Sequence, residues 1–439
     1  MRANMFLRLL GQSLHLVQIA FTDRIVNRRS IQYVNCCHNP LPFLEGINPT
    51  AFYKSSFLGL SMLSFGIAYT GRIDTLSIVK PDTIEALAGE LSGAATRRNT
   101  ISLGGNFSKT RMAGPALACD LTLSTAGLTR LLKYEPRDLT ISVEAGMPYR
   151  ELTRILAENR QMVPLDPLFA EESTIGGVIA ANLSGSRRRL YGTARDMVIG
   201  MTFATLQGKL VRTGGMVVKN VAGLDMGKLM IGSFGTLAAL AVINFKLQPM
   251  PAGTRTFLRR FDRLEDSIAA RDVILRSVLQ PSSIDLIKRD EGFELIVQAG
   301  GNAALLDRYS REFADAEMLE GEAERQAWER VREFTPAFLK SNPDGAVVRI
   351  SCVHSELGRV LAELPGPAVA RAGSGVVYGY FNHAQQALGR GVIEFAPQSF
   401  REENDLWPAP GDAFAMMGKV KAMFDPGRLL NPRRLYGRI

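Results

Sequence analysis

The chain has 439 residues, 46% of them hydrophobic and 22% charged, with a mean hydropathy of +0.02. These values exclude a disordered, collagen-like or polytopic membrane chain and allow two or three domains with sizeable cores. The net charge of +9 excludes little by itself, but no basic helix with interleaved aromatics occurs, so nucleic acid is not an expected partner.

Cys36, Cys37, Cys119 and Cys352 contain no C-x-x-C pair. A disulfide framework, a zinc ribbon and a ferredoxin-type cluster are disfavoured, and reduced thiols are expected. His15, His38, His354 and His383 form no H-E-x-x-H and no close pair, so no metal site is expected.

Residues 1–70 lack a clear period. Within them, residues 55–69 are uncharged but closely bracketed by Lys54 and Arg72, too short for the ~20 residues of a spanning helix. This segment reads as a loosely attached extension, a short membrane-surface anchor or a folded element. From Asp74 the pattern sharpens. Strands are predicted at 75–79, 101–103, 121–123 and 138–144. Asp82 or Thr83 caps a helix carrying Ile84, Leu87, Ala88 and Leu91 on one face, and another helix runs over 149–159. A turn-rich stretch at 163–167 precedes a helix from about Gly177. Strands at 198–205 and 210–212 flank the hairpin turn Gln207-Gly208. An apolar run at 237–247 ends before Pro249, and residues 249–253 mark a domain boundary. Beyond it, strands are predicted at 295–297, 345–351 and 375–381, helices over 262–279 and 305–331, and a short helix near Gly418.

Two glycine clusters carry chemistry. Gly104-Gly105-Asn106-Phe107-Ser108 follows a strand, and small residues there let backbone N–H groups converge on an anion such as a diphosphate; a plain turn is the alternative. Thr174-Ile175-Gly176-Gly177 opens a helix, where N–H groups and the helix dipole also favour an anion. Together the two suggest a dinucleotide held between two subdomains. No G-x-x-x-x-G-K-[ST] and no G-x-G-x-x-G after a strand exists, so P-loop chemistry and NAD are not expected.

The runs 103–109, VEAG at 143–146 and STIGGVIAANLSGSRRRLYGTARDMVIG at 173–200 resemble the FAD-binding domain of the vanillyl-alcohol oxidase / p-cresol methylhydroxylase (PCMH) superfamily. The run GGMVVKNVAGLDMGKLMIGSFGTLAAL at 214–240 and the ending FDPGRLLNPRRLYGRI at 424–439 are similar to the E-type FAD-binding subunit of bacterial glycolate oxidases. The resemblance implies an α+β chain: an N-terminal extension (1–70), a two-subdomain PCMH-type FAD-binding domain (71–250), an α+β cap domain (251–415) and a tail (416–439) that returns to the FAD domain. It implies that Gly104, Gly105, Asn106, Phe107 and Ser108 contact the pyrophosphate. Thr174, Gly176 and Gly177 would lie along the pyrophosphate and flavin. Asn182, Ser184, Gly185 and Gly192 would stand near the isoalloxazine or its supporting turns, and Val242 toward the adenine.

The implied activity is FAD-dependent oxidation of a 2-hydroxy acid such as glycolate or D-lactate, or relay of its electrons. The implied partners are a D-type flavoprotein and an iron–sulfur subunit. The implied location is the cytoplasm, free or peripheral at the inner face of the membrane. The alternatives are a noncatalytic FAD-bearing electron-transfer or structural subunit and a stand-alone flavin alcohol oxidase. Two departures from the family pattern stand out. Residues 104–114 hold no His or Cys that could bond the flavin, so noncovalent FAD is expected. The cap motif H-x-G-D-G-N-x-H of related 2-hydroxy-acid dehydrogenases is replaced, its histidines by Arg371 and Tyr378; an arginine can pair a carboxylate and a tyrosine can assist proton transfer. Arg187-Arg188-Arg189 reads as a solvated run or as a balance for phosphates or a partner surface. Asn431-Pro432 is a turn, or places the tail against the FAD domain.

Overall fold

The computed structural model describes residues 78–216 and 225–439. The extension 1–70, residues 75–77 of the first predicted strand, and Lys219, Asn220 and Gly223 lie outside the described residues.

The first layer is small and parallel. Thr83 caps the helix Ile84–Thr96 by accepting the Ala86 N–H on its hydroxyl at 3.1 Å, as the sequence predicts. Leu87, Ala88, Leu91 and Ala94 are buried along that helix. Strands β1 (Ile101–Gly104) and β2 (Leu121–Ser124) pair in parallel. Val79 bridges to β2, and Leu430, from the far end of the chain, bridges to β1. The tail therefore forms one border of this layer, beside the glycine loop that leaves β1.

The second layer is antiparallel. It comprises β3 (Leu131–Glu135), β4 (Thr140–Glu144), β6 (Val198–Ala204), β7 (Leu210–Gly214) and β8 (Ala239–Lys246), in the order β3-β4-β8-β6-β7. A short ribbon, β5 (Gln161–Met162) with β9 (Gln248–Pro249), sits beside it. The helix Ile175–Ala180 packs on β8 through a face that buries Ile175, Val178 and Ile179. It begins two residues before the predicted Gly177, because the Thr174 hydroxyl accepts the Gly177 N–H at 3.2 Å and so acts as N-cap.

Residues beyond Met250 build one antiparallel sheet: β10 (Gly253–Phe261), β11 (Ser283–Arg289), β12 (Gly292–Gly301), β13 (Glu317–Leu319), β14 (Ala346–Ser351), β15 (Ala368–Arg371), β16 (Val376–Phe381) and β17 (Val392–Phe395). Their order is β13-β10-β12-β11-β15-β16-β14-β17. Phe257 stacks with Tyr309 and Phe313 to fix the helix Ala303–Glu312 against it. The stretch 305–331, read as largely helical, is two helices with a short strand between them. The chain leaves the helix after Glu312, pairs β13 with β10, and re-enters a helix at Gly321, whose φ of +56° an L side chain would resist.

The tail starts with the helix Phe414–Phe424. Buried Lys421 pairs with buried Asp425 at 2.6 Å and donates to the carbonyls of Thr236 (2.7 Å) and Leu430 (2.9 Å). Asp425 in turn accepts the N–H groups of Leu429 and Leu430. Every strong hydrogen-bonding capacity of this buried pair is thereby used, and the tail is locked onto β1.

Candidate functional site: a cleft between two glycine turns

The loop leaving β1 and the turn entering the helix Ile175–Ala180 face each other across a cleft. Its open space is about 960 Å³, solvent at the mouth included, within the range that holds a cofactor-sized ligand. Gly104, Gly105, Asn106, Phe107 and Ser108 line it from one side, and Thr174, Gly176 and Gly177 from the other.

The two turns touch where side chains are absent. A Cβ on Gly105 would stand 2.1 Å from the Thr174 hydroxyl oxygen, and one on Gly176 would stand 2.9 Å from both the Cβ and the carbonyl oxygen of Ala145. Glycine at these positions is a matter of close approach. The first N–H groups of the helix are already taken within the protein: Ile175 donates to the Met147 carbonyl (2.9 Å), Gly176 to the Ala145 carbonyl (2.6 Å) and Gly177 to the Thr174 hydroxyl (3.2 Å), so the anion contact expected at this turn is not made by free N–H groups of the helix start.

A cation completes the cleft. The Lys109 ammonium donates to the hydroxyls of Ser173 (2.6 Å) and Ser108 (3.0 Å). Burial brings its pKa down to about 8, with Glu172 opposing the shift. An ammonium short of solvent at a helix start is a natural partner for a diphosphate. Phe234, Gly235, Ala238 and Leu240 supply an apolar wall, and Cys119 lies on the lining with its thiol pKa raised by burial.

The tail forms the remaining wall. Asn431 accepts the Leu103 N–H at 2.7 Å and donates to the carbonyls of Leu103 (3.0 Å) and Phe234 (2.8 Å). One side chain thus fastens β1 to the 232–235 loop. Arg434 donates to the carbonyls of Lys109 and Met112 and also contacts that of Gly114. Its pKa falls to about 9 because the guanidinium is buried and Arg401 stands nearby. Arg111 reaches across to the carbonyls of Leu339, Pro343 and Gly345. Arg434 thus holds the exit of the glycine loop by its backbone, and Arg111 ties that exit to residues 339–345.

The structure does not bring every residue singled out from sequence to the cleft lining. Asn182 follows the helix that lines it, with φ +50° and a buried side-chain amide oxygen (Oδ1) that has no partner among the described residues. Ser184 and Gly185 belong to the next turn, where the Gly185 N–H bonds the Leu165 carbonyl at 2.6 Å. Gly192, with φ +83°, ends the short helix Arg188–Tyr191 beside Asp196. Val242 is buried in β8 between Glu144 and Thr202; a register irregularity at Thr202–Phe203 separates it from Leu240, which does line the cleft. Lys109, Phe234 and Arg434 are among the lining residues not singled out in advance, and Asn431, read from sequence as a turn or as a link of the tail to the FAD domain, lies on the lining.

Residues 75–214 match the protein family described as an FAD binding domain. The chain is a flavoprotein with a PCMH-type FAD-binding domain. It is 29% identical over 363 residues to glycolate oxidase subunit GlcE of Escherichia coli (strain K12), covering 82% of this chain and 99% of that protein. It is 30% identical over 167 residues to glycolate oxidase subunit GlcD of Bacillus subtilis (strain 168), covering 38% of this chain and 36% of that one. Its fold matches 4-ethylphenol oxidase from Gulosibacter chungangensis with a TM-score of 0.62 at 12% identity, over 82% of this chain and 88% of that one. The α+β architecture, the FAD cofactor and membership among FAD-dependent oxidoreductases follow from these matches.

The residues present fit that cofactor: two close-packed turns that a Cβ would close and a buried lysine between them suit a diphosphate. Among the described residues, no group of His, Cys, Asp and Glu could hold a metal ion, and no helix is long and apolar enough to cross a membrane. At the family level the activity is FAD-linked oxidation of 2-hydroxy acids.

Proposed function

We propose that the chain is the FAD-carrying subunit of a glycolate oxidase-type complex. It oxidises a small 2-hydroxy acid, glycolate or D-lactate, to the 2-oxo acid, or relays the electrons. Its partners are a D-type flavoprotein and an iron–sulfur subunit, at the cytoplasmic side. The observation that carries this reading is a match to GlcE that runs through 99% of that subunit, set beside one to GlcD that spans about a third of it.

FAD supplies the hydride-accepting ring; the chain supplies position and polarity. The Gly104–Ser108 loop and Thr174, Gly176 and Gly177 hold the diphosphate, with Lys109 neutralising its charge. Asn182, Ser184, Gly185 and Gly192 shape the turns on the isoalloxazine side, and Val242 stands on the adenine side. The domain limits are those read from the sequence: FAD domain 71–250, cap 251–415, tail 416–439.

A second reading, an electron-relaying subunit without turnover of its own, is favoured by one observation. Both histidines of the cap, His354 and His383, are exposed, so neither offers a base inside the protein. The test is steady-state reduction of an artificial electron acceptor with glycolate as substrate. Slow or no turnover by the isolated holoprotein, rising on reconstitution with partners, is expected. A rate for the isolated chain equal to that of the complex would overturn the subunit reading.

A further inference from the structure

Four cations converge on the short segment 109–114 that leaves the glycine loop. Lys109 and Arg111 belong to it. Arg401, on the helix Gln398–Glu403, and Arg434, in the tail, reach it from distant parts of the chain. Arg401 donates to the Gly114 carbonyl at 2.6 Å and to the Gln398 amide oxygen at 2.8 Å. Arg434 donates to the carbonyls of Lys109, Met112 and Gly114, and Arg111 to those of Leu339, Pro343 and Gly345. The Lys109 ammonium is held by two hydroxyls.

Every acceptor in these contacts is neutral. None of the four cations has a carboxylate within ion-pair distance among the described residues; Glu172, Asp344 and Glu402 act on Lys109, Arg111 and Arg401 only from farther away. A buried cation is costly unless an anion accompanies it. Elsewhere the chain obeys that rule: Arg371 has Asp285, Lys421 has Asp425 and Arg271 has Asp272. Here Arg401 is fully buried, the Nε groups of Arg401 and Arg111 have no partner, and burial together with Arg111 pushes the pKa of Arg401 down to about 10. The cluster lacks a counter-charge of its own.

It meets the cofactor cleft on one side. Lys109 and Arg434 are on the cleft lining, whereas Arg111 and Arg401 are not. A guanidinium has five N–H groups, and three carbonyls leave Arg434 with donors to spare. Its planar fork suits a phosphate, to which an ammonium offers only a point charge.

We propose that Arg434 binds the diphosphate of the cofactor together with Lys109, and that this anion is the counter-charge missing from the Arg111–Arg401–Arg434 cluster. Arg111 and Arg401 are positioning residues: they fix the backbone on which Arg434 is folded and add to the positive potential. The tail is then part of the cofactor site and not only a brace behind β1. The inference rests on the reading of the cleft as the seat of the diphosphate, and is independent of the substrate.

The experiment titrates apoprotein of the full chain with FAD by flavin fluorescence, then displaces FAD with ADP-ribose, which carries the diphosphate without the flavin, and with AMP, which has a single phosphate. The wild type prefers ADP-ribose. Arg434→Met weakens FAD about tenfold or more at pH 7, brings the affinities for ADP-ribose and AMP together, and flattens the fall of FAD affinity with added salt. Arg434→Lys recovers part of the loss. Where Arg434→Met does not fold, Arg434→Gln, which keeps N–H donors for the carbonyls without the charge, carries the same expectation. FAD affinity unchanged in the folded variant overturns the proposal. So does equal weakening of ADP-ribose and AMP with the preference kept, since a mere brace would loosen both alike. Loss of FAD in Gly105→Ala with normal binding in Arg434→Met removes the arginine and leaves the two glycine turns as the site. No preference for ADP-ribose in the wild type, with normal FAD binding in Gly105→Ala, removes the diphosphate seat and this inference with it.

Discussion

Gly105→Ala adds a single methyl carbon at the tightest point of the cleft. That carbon would lie 2.1 Å from the Thr174 hydroxyl oxygen, 2.8 Å from its Cγ2 and 3.0 Å from its Cβ. Thr174 has little freedom to yield, because it is β-branched and its hydroxyl caps the helix Ile175–Ala180. The clash is relieved by moving the loop, at about 1–3 kcal/mol for overpacking. At 1.4 kcal/mol per factor of ten, FAD affinity falls roughly 5- to 150-fold. Thr174→Ala alone removes the cap, about 1 kcal/mol or roughly fivefold. In the double variant the two closest contacts, to the hydroxyl oxygen and Cγ2, are gone and only the 3.0 Å contact to Cβ remains, so its loss falls well short of the product of the two. The assay is reconstitution of apoprotein with FAD, followed by flavin fluorescence, for the four members of the cycle. Independent, multiplying losses would show that Gly105 and Thr174 do not press on one another, and the two-turn cleft would be wrong in its central contact.

Acid precipitation should release all FAD to the supernatant, because residues 104–114 contain no His or Cys and burial keeps the Cys119 thiol protonated; flavin retained on the denatured protein would contradict this. FAD affinity should decline as pH rises through about 8, where free Lys109 loses its proton. The bound diphosphate raises that pKa, so binding takes up a proton above pH 8 and not below it. Lys109→Met should bind at least about tenfold more weakly at pH 7 and lose the slope; a slope that persists in the variant would assign the proton elsewhere. Lys421→Met should lower stability to urea by about 3 kcal/mol, since Asp425 stays buried without its cation; an unchanged midpoint would mean that the tail is not locked by this pair.

Local signals made half of the cleft legible. A glycine pair after a strand and a Thr followed by two glycines at a helix start are patterns complete within a few residues, and both lie on the lining. The opposite wall was not legible. Asn431 and Leu103 are 328 positions apart, and nothing in a turn-forming Asn-Pro announces that the amide serves both backbone groups of a distant strand. The missed strands have a similar cause. β3 exposes Leu131 and Leu132 while burying neither, and β10 interleaves three arginines with its apolar residues. Neither shows the alternation that marks a half-buried strand. Within 305–331, read as largely helical, the short strand β13 was not legible because it is set by its pairing with the distant β10.

The arginines show how far residue type falls short of role. Sequence comparison draws the eye to Arg371, which stands where the related cap motif has a histidine and which could pair a substrate carboxylate. In the fold that charge is spent: Arg371 is buried against Asp285, with Ser186 bonded to both. Lending it to a ligand would strand a buried carboxylate, at several kcal/mol. Arg188, which sequence leaves as one residue of a charged run, has no side-chain partner among the described residues, whereas Arg187 is held by Asp166 and Arg189 by the Pro281 carbonyl. Availability of a charge is set by what else is buried beside it.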